Sequence, residues 1–215
     1  MSADDTTAAG STTTETTPPP SARAAIIHGD DGLDRCSWPG ADAEYRRYHD
    51  EEWGREQRDP RALYEKLCLE GFQAGLSWIT ILRRRPAFRE AFHGFDPERV
   101  AAMTEADVLR LLGDERIIRH RGKIEATISN ARATLALDVP LDELMWSFAP
   151  PRAPESARPR AWSEVPAVTP ESTAMSKELR RRGFRFVGPT TMYALMQATG
   201  MVDDHFVGCF RAQHP

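Results

Sequence analysis

The chain has 215 residues, of which 40% are hydrophobic and 28% are charged, which is typical of one globular domain with some surplus. No apolar run approaches the roughly 18 to 20 residues of a membrane span, and residues 1–23 lack the apolar core of a secretory signal. The sequence therefore excludes a membrane protein and predicts a cytoplasmic one. Three cysteines, an odd number, argue against a disulfide framework and leave metal binding, nucleophilic catalysis or core packing.

The formal net charge of −4 conceals an uneven distribution. Residues 1–34 carry six acidic residues and one basic residue, so that residues 35–215 hold 27 basic against 26 acidic side chains. The folded part is therefore nearly neutral. An acidic total does not exclude a polyanionic partner, because binding depends on where the charges lie.

Two segments lack the pattern of regular structure. Residues 1–30 are rich in Thr, Ala, Ser and Pro without a hydrophobic period, which predicts a disordered acidic tail before a folded domain at 31–215. Residues 149–170 contain six prolines, which are incompatible with a helix or a central strand. This second segment predicts a long connection within one domain or a hinge between two lobes.

Elsewhere, apolar residues recur at spacings of three and four, and helix caps are frequent. Asp59-Pro60 and Asp96-Pro97 each combine an N-cap with the proline favoured in a first turn. Thr104 and Asp107 resemble a capping box, and Gly113 ends that predicted helix. A further stripe comprises Ile124, Ile128, Ala131 and Leu135. Because no segment alternates convincingly as a strand, the sequence predicts an all-α fold of about eight helices.

Four residues near the two ends of the predicted domain form a candidate metal site. Cys36 and His49 are separated by 12 residues, and His205 and Cys209 by three. Two thiolates and two imidazoles suit a tetrahedral zinc ion without an open position, which is a structural and not a catalytic site. Such a site would join the start of the domain to its end. The alternative is a free thiol at Cys36 and unrelated histidines.

A second candidate site centres on Glu70 in the segment 69–78. The carboxylate ends a predicted helix, two glycines allow close backbone approach, and Trp78 follows, so a pocket for a flat polar ring is one interpretation. Further aromatic residues surround His49, namely Trp38, Tyr45, Tyr48 and Trp53. The alternative is an ordinary aromatic core with Glu70 at a solvated helix end. No lysine lies in this segment.

A third candidate site is the turn at residues 181–191, where glycines separate two predicted helices. Pro189 begins the second helix, so that the amides around Gly188 and Thr190 point outward and can bind a phosphate oxygen. Arg181, Arg182 and Arg185 surround this turn, and Gly183 opens it. A helix-hairpin-helix that grips a DNA backbone fits the pattern, as does a plain helix turn with solvated arginines. Basic clusters at 83–85 and 116–123 either extend a phosphate surface or are solvated helix faces.

Taken together, these blocks resemble the DNA-3-methyladenine glycosylase I family of the helix-hairpin-helix superfamily. The resemblance covers residues 35–210, essentially the whole predicted domain. It rests on ordered blocks at 35–38, 48–54, 68–80, 117–124, 144–148, 182–188 and 204–209. The order of so many blocks is far more specific than any single one.

The resemblance implies roles for particular residues. Cys36, His49, His205 and Cys209 would bind zinc. Glu70 would be the catalytic carboxylate and, with Tyr48, would read the edge of a flipped base between walls formed by Trp38, Trp53 and Trp78. The hairpin would contact DNA through Gly183, Arg185, Gly188 and Thr190.

Two positions qualify the resemblance. Phe72 stands where a glutamine is familiar in the family, which bears on the shape of the pocket. Asp203 lies where the wider superfamily has a carboxylate that supports the sugar cation. Since this family is generally regarded as lacking that group, Asp203 either takes that role, orients the adjacent zinc ligand or caps a helix.

The function implied is a monofunctional DNA repair glycosylase that flips 3-methyladenine out of alkylated duplex DNA and hydrolyses its N-glycosidic bond. The products would be an abasic site and free 3-methyladenine, the cofactor a structural zinc ion, and the protein a monomer. The alternative is a zinc-stapled helical module that binds damaged DNA without catalysis. An open pocket between Glu70 and Trp78 favours the enzyme, and a filled one favours the binding module.

Overall fold

The computed structural model describes residues 24–213, and this part of the chain is mainly helical. The helices are α1 (Ala43–Glu51), α2 (Pro60–Gln73), α3 (Trp78–Leu82), α4 (Arg85–Ala91), α5 (Pro97–Ala101), α6 (Glu105–Leu112), α7 (Arg121–Leu135), α8 (Leu141–Trp146), α9 (Pro170–Arg181), α10 (Pro189–Ala198) and α11 (Phe210–Gln213). The prediction of an all-α fold is confirmed. The count exceeds the prediction because α3, α8 and α11 have only four to six residues, too few for an apolar period.

Within the described range, none of these helices is long and apolar enough to cross a membrane.

A two-stranded antiparallel hairpin begins the described chain, and the sequence analysis did not predict it. Strand β1 (Ile26–His28) pairs with β2 (Asp34–Cys36), and three residues are too few for alternation to stand out. The Arg35 guanidinium ties the hairpin to α1, since it binds Asp31 at 2.6–2.8 Å and Asp50 at 2.9–3.0 Å. The predicted end of the tail at residue 30 falls within this hairpin. For residues 1–23, outside the described part, the tail stays a prediction.

The helix caps read from the sequence are present. Asp59 and Asp96 accept hydrogen bonds from first-turn amides of α2 and α5. The Asp107 carboxylate accepts from the Thr104 amide at 2.9 Å at the start of α6, and Gly113 ends that helix. The predicted stripe on α7 is wrong at Leu135, the last residue of the helix, which is 51% exposed.

Helix α2 occupies the centre of the fold. It packs against α3, α7, α8 and α10, and eight of its 14 residues are buried. The proline-rich connection leads back to the C-terminal segment, where the Val207 amide donates to the Pro159 carbonyl at 3.0 Å and the Trp162 and Phe206 rings lie 5.1 Å apart. These contacts favour a connection within one domain over a hinge.

We expect removal of residues 1–23 to leave the midpoint of thermal unfolding unchanged, because that segment carries no apolar period. Removal of residues 1–30 should lower the midpoint, because it deletes β1 and the Ala24 and Ala25 carbonyls that accept from Ser37 at 2.5 and 2.9 Å. Thermal unfolding of the full chain and both truncations checks this. Equal midpoints for the two truncations would show that the hairpin adds nothing to stability.

Candidate active site and metal-binding cluster

A cavity of about 330 Å³ lies beside α2 and is bordered by α1, α3 and α10, which is within the size range of small-molecule sites. The five residues predicted to form a pocket all line this cavity: Trp38, Tyr48, Trp53, Glu70 and Trp78. They share the cavity wall with Gln73, Trp162, Gln197, Asp204 and Phe206. The fold therefore brings the aromatic residues around His49 to the carboxylate of α2.

Glu70 is a buried acid inside a helix that is otherwise largely apolar. It is 4% exposed, and its Oε1 lies 3.4 Å from the Lys66 ammonium. Its Oε2 is buried and has no hydrogen-bond partner within residues 24–213. Burial raises the pKa of Glu70, and the Lys66 ammonium opposes part of that rise. The alternative of a solvated helix end is therefore wrong.

Lys66 is the site residue that the sequence analysis missed. Its side chain is 13% exposed, and its Nζ donates to the Tyr48 hydroxyl at 2.5 Å. The same nitrogen lies 3.6 Å from the centroid of the Trp78 ring. Burial lowers the pKa of Lys66 to about 8, against the opposing effect of Glu70. The sequence signal that could have identified Lys66 is its i, i+4 spacing from Glu70, which puts both side chains on one helix face.

The aromatic wall of the cavity is built around Trp38. Its ring meets Tyr45 at 4.8 Å, and His49 and Trp53 each at 5.2 Å, in edge-on arrangements. The indole nitrogens of Trp38 and Trp78 are buried without a hydrogen-bond partner in the described chain. A wall of flat rings with unused donors suits a planar, polar ligand.

The metal-binding prediction corresponds to a buried cluster. One ligand atom each of Cys36, His49 and Cys209 lies within 4.8 Å of the others, and Cys209 Sγ is 3.5 Å from His49 Nε2. The Cys36 thiol donates to Cys209, which lowers the pKa of Cys209 and raises that of Cys36. These three residues could hold a metal ion.

His205 lies beside this cluster, with its ring 5.2 Å from that of His49. Its Nε2 is buried and lacks a partner in the described chain, whereas its Nδ1 is 2.9 Å from Asp203 Oδ1. His49 has the same arrangement, with Nδ1 2.8 Å from Asp50 Oδ1. Carboxylates that hold the Nδ1 atoms leave each Nε2 for a ligand, as in metal-bound histidines.

Asp203 is fully engaged at the edge of this cluster. Its second oxygen accepts from the Arg158 guanidinium at 2.7 Å, and its first accepts from His205. It lines the neighbouring cleft beside the proline-rich connection and not the Glu70 cavity. These contacts favour the orienting role of Asp203 over a catalytic one.

Phe72, the departure from the family pattern, does not reach the cavity. It is 1% exposed, and its ring packs 4.6 Å from Phe88 and 6.0 Å from Phe92. The neighbouring Gln73 lines the cavity instead. Phe72 therefore affects the core behind α2 and not the lining of the pocket.

Gly183 ends α9 and lets the chain turn towards α10. Gly183 has φ of 91°, a left-handed conformation that favours glycine. Its amide donates to Arg180 O, and the Phe184 amide donates to Leu179 O at 2.9 Å, which is a Schellman motif. The other end of the turn is Gly188, the N-cap of α10.

Asn130 of α7 fixes the middle of this turn. Its amide side chain accepts from the Arg185 amide at 2.7 Å and donates to the Arg185 carbonyl at 3.1 Å. Arg185 is exposed, and no ion pair in residues 24–213 holds its guanidinium. Arg181 and Arg182 instead bind Glu178 at 2.6–2.7 Å, so of the three predicted arginines only Arg185 has no ion pair in this range.

The two further basic clusters are largely engaged within the protein. Arg85 pairs with Glu52 at 2.5–2.6 Å, and Arg121 lies 2.7 Å from Glu105. Lys123 is 8% exposed, and its ammonium donates to the carbonyls of Phe72 and Ala74 at 2.9 and 2.6 Å, so it caps the end of α2. The suggestion that Lys123 belongs to a phosphate surface is wrong.

Comparison with known proteins identifies the family of this chain. The sequence matches the methyladenine glycosylase family over residues 38–212. The chain belongs to this family. The resemblance noted from the ordered sequence blocks is thereby confirmed.

Individual members of the family are similar over nearly their full length. The chain is 51% identical over 180 residues to DNA-3-methyladenine glycosylase 1 of Escherichia coli (strain K12), covering 82% of this chain and 96% of the relative. A crystal structure of 3-methyladenine DNA glycosylase I matches with a TM-score of 0.79 and 50% identity, over 82% of this chain and 98% of that one. A tyrosine-to-phenylalanine variant of 3-methyladenine DNA glycosylase I, in complex with 3-methyladenine, matches with a TM-score of 0.77 and 35% identity, over 82% and 96%.

Proposed function

We propose that this chain hydrolyses the N-glycosidic bond of 3-methyladenine in alkylated duplex DNA and leaves an abasic site. The observation that carries the proposal is the buried Glu70 carboxylate, which lines an aromatic cavity and keeps one oxygen without a partner in the described chain. A module that only binds damaged DNA needs no such cavity, so the enzyme is favoured in a chain of this family. The protein acts as a cytoplasmic monomer.

The reaction begins with extrusion of the damaged nucleotide, because the bond to be broken is hidden in the base stack. Flipping costs a few kcal/mol, and a damaged base reduces that cost. Methylation at N3 makes the adenine cationic and a good leaving group. The protein therefore has mainly to bind the flipped base and exclude normal adenine, while water completes the displacement.

Glu70 and the aromatic wall divide the recognition of the base. The carboxylate of Glu70 favours a positive base and accepts from its exocyclic amine, and Tyr48 contributes its hydroxyl to the same edge. Trp38, Trp53 and Trp78 supply stacking and cation–π attraction.

We propose that the α9–α10 unit is a helix-hairpin-helix that grips the DNA backbone. The free first-turn amides of α10 near Gly188 and Thr190 suit a phosphate oxygen. The exposed Arg185 guanidinium adds charge, and Gly183 permits the close approach of the turn. These contacts carry no information on the base, so they position the DNA while the cavity selects the damage.

We propose that the metal held by the buried cluster is zinc, with Cys36, His49, His205 and Cys209 as ligands. The unpartnered His205 Nε2 in the described chain and the two carboxylate-held imidazoles support this set. Two thiolates and two imidazoles leave no open position, so the ion would contribute a crosslink between the β2–α1 region and the C-terminal segment.

We expect freshly purified protein to hold one zinc ion per chain. Cys36→Ser and His205→Ala should lose the metal and unfold at a lower temperature, because binding energy at a structural site is folding energy. Cys68→Ala is the matched control, since this buried thiol of α2 lies outside the cluster and its loss should leave the zinc content unchanged. Metal analysis and thermal unfolding check this, and unchelated protein without zinc contradicts it.

We expect the product to be an abasic site in an intact strand. A Schiff-base step needs a free amine at the reacting sugar, and no lysine lines the cavity in the part of the chain that the structure describes. The ammonium of Lys66 is instead held against Tyr48, Trp78 and Glu70. Treatment of the reaction with borohydride should trap no protein–DNA adduct, and a trapped adduct would overturn this expectation.

We expect variants of the cavity and of the α9–α10 turn to lose different binding properties. Glu70→Gln removes charge but keeps shape, so it should weaken binding of free 3-methyladenine and lower its excision by about 1–3 kcal/mol. Trp78→Ala should weaken binding of aromatic bases generally, by roughly 1–3 kcal/mol for a lost stacking partner. Arg185→Ala should weaken binding to all DNA and flatten its salt dependence.

The measurements are free-base binding, single-turnover excision and affinity for undamaged DNA, with thermal unfolding as the control for each variant. Undamaged-DNA affinity should stay unchanged in Glu70→Gln. If that variant binds and excises 3-methyladenine like the parent, Glu70 is not the recognition carboxylate.

A further inference from the structure

Lys66 is a cationic residue next to the proposed base-binding cavity. It contacts the acid, the hydroxyl and one of the stacking rings that are proposed to recognise the base. Its ammonium is 3.4 Å from Glu70 Oε1 and 2.5 Å from the Tyr48 hydroxyl. It also lies over the Trp78 ring at 3.6 Å and near the Tyr48 ring at 4.7 Å. A single side chain therefore links the acid, the hydroxyl and the stacking wall.

An ammonium group can only donate hydrogen bonds, and this fixes the direction of every contact around it. The Tyr48 oxygen accepts from Lys66, so the proton of that hydroxyl is left for another acceptor. Glu70 Oε1 is occupied by Lys66, whereas Oε2 has no partner in the described chain. At the edge of the cavity that Lys66 contacts, Tyr48 therefore offers a donor and Glu70 an acceptor.

The surrounding charges leave Lys66 as the counterion of Glu70. The other titratable groups near the pair are Tyr45 and Tyr48 of α1, Glu52 directly after α1, Arg85 of α4 and Asp204 after α10. Glu52 and Arg85 bind each other at 2.5–2.6 Å, and Asp204 accepts from Tyr193 and Gln197 at 2.6 and 2.7 Å. Lys66 is therefore the nearest cation to a carboxylate that burial would otherwise neutralise.

We propose that Lys66 is a positioning residue for base recognition: its ammonium keeps Glu70 ionised and occupies Oε1, so that Oε2 accepts from the base while the Tyr48 hydroxyl donates to it. The proposal rests on the recognition roles proposed for Glu70 and Tyr48. The ligand it fits is a base edge that carries an amine beside a ring nitrogen, as an adenine does. The N7–O6 edge of guanine, with two adjacent acceptors, meets the Glu70 carboxylate with the wrong polarity.

The test is titration of the full-length protein with free 3-methyladenine, followed by tryptophan fluorescence or calorimetry, over about pH 6 to 9. Lys66→Met removes the ammonium at similar length, and Lys66→Gln keeps a donor without the charge. Lys66→Arg keeps both the charge and the donor-only character, and a cleft of about 290 Å³ beside Lys66 has room for the longer side chain. The ratio of variant to parent dissociation constants at each pH cancels the protonation of the ligand itself.

We expect Lys66→Met and Lys66→Gln to bind 3-methyladenine about tenfold or more weakly at the acid end of the range, because loss of an opposite charge raises a carboxyl pKa by 1–3 units. The ratio should fall towards one at the alkaline end, where Glu70 ionises without help and the parent loses its own ammonium. Lys66→Arg should retain most of the parent affinity. In a Glu70→Gln background, Lys66→Met should change affinity by less than about twofold, since coupled residues are not additive.

Lys123→Met is the matched control, because Lys123 is also a nearly buried lysine in contact with α2 but donates only to main-chain carbonyls. It should lower the unfolding temperature without moving the pH dependence of binding. A Lys66→Met ratio that is the same at every pH, or the same with and without Glu70, assigns Lys66 a packing role and overturns the proposal. If Lys66→Met does not fold, the affinity ratios of Lys66→Gln and Lys66→Arg test the proposal by the same dependence on pH and on Glu70.

The outcome separates this inference from the proposed function. Parent affinity in Lys66→Met at all pH values, together with weakened binding in Glu70→Gln, overturns the role of Lys66 alone. Parent affinity in Glu70→Gln overturns the recognition role of Glu70 and this inference with it.

Discussion

The burial of a carboxylate in the central helix is the constraint on which the rest of the site depends. Glu70 lies on α2 between Leu69 and Gly71, both buried, in a position where an ionised acid is costly without a partner. The Lys66 ammonium stabilises the charge at one oxygen of Glu70, and the second oxygen is left for a ligand. Full satisfaction of Glu70 within the protein would leave no oxygen for a ligand, and on the proposed role of Lys66 its removal would neutralise the acid. A carboxylate that binds a ligand at this position therefore requires a counterion that contacts only one of its two oxygens.

The metal-binding cluster and the cavity are parts of one assembly, because α1 contributes to both. Tyr48 lines the cavity while the next residue, His49, belongs to the cluster. Trp53 lines the cavity and packs its ring 4.6 Å from His205. The proposed crosslink between the two ends of the domain would therefore also fix the aromatic wall, and a structural metal would bear on base binding without touching the base.

Features that depend only on neighbouring residues in the chain could be predicted from the sequence. Features that depend on residues from other elements could not. The caps at Asp59 and Asp96 involve only their own first turns, so they were readable. The role of Lys66 depends on Tyr48 and Trp78, which reach it only in the folded chain. Whether Arg181, Arg182 or Arg185 forms an ion pair depends on where Glu178 lies, and a count of basic residues cannot reveal that. Strand β1 was missed because its three residues gain order only by pairing with β2.

Helix α7 connects the two proposed functions of binding the backbone and binding the base. Lys123, in its first turn, caps the end of α2, and Asn130, two turns later, holds both main-chain polar groups of Arg185. At Gly71, beside Glu70, an added Cβ would come within 3.2 Å of the Phe186 side chain of the hairpin, so glycine allows the hairpin to rest on α2. The α9–α10 turn and the Glu70 carboxylate are thereby held in a fixed relation. On the proposed function, a base reaches Glu70 only when it is turned out of the DNA duplex, and a rigid spacing between the backbone contact and the cavity would favour that extruded geometry over an intact stack.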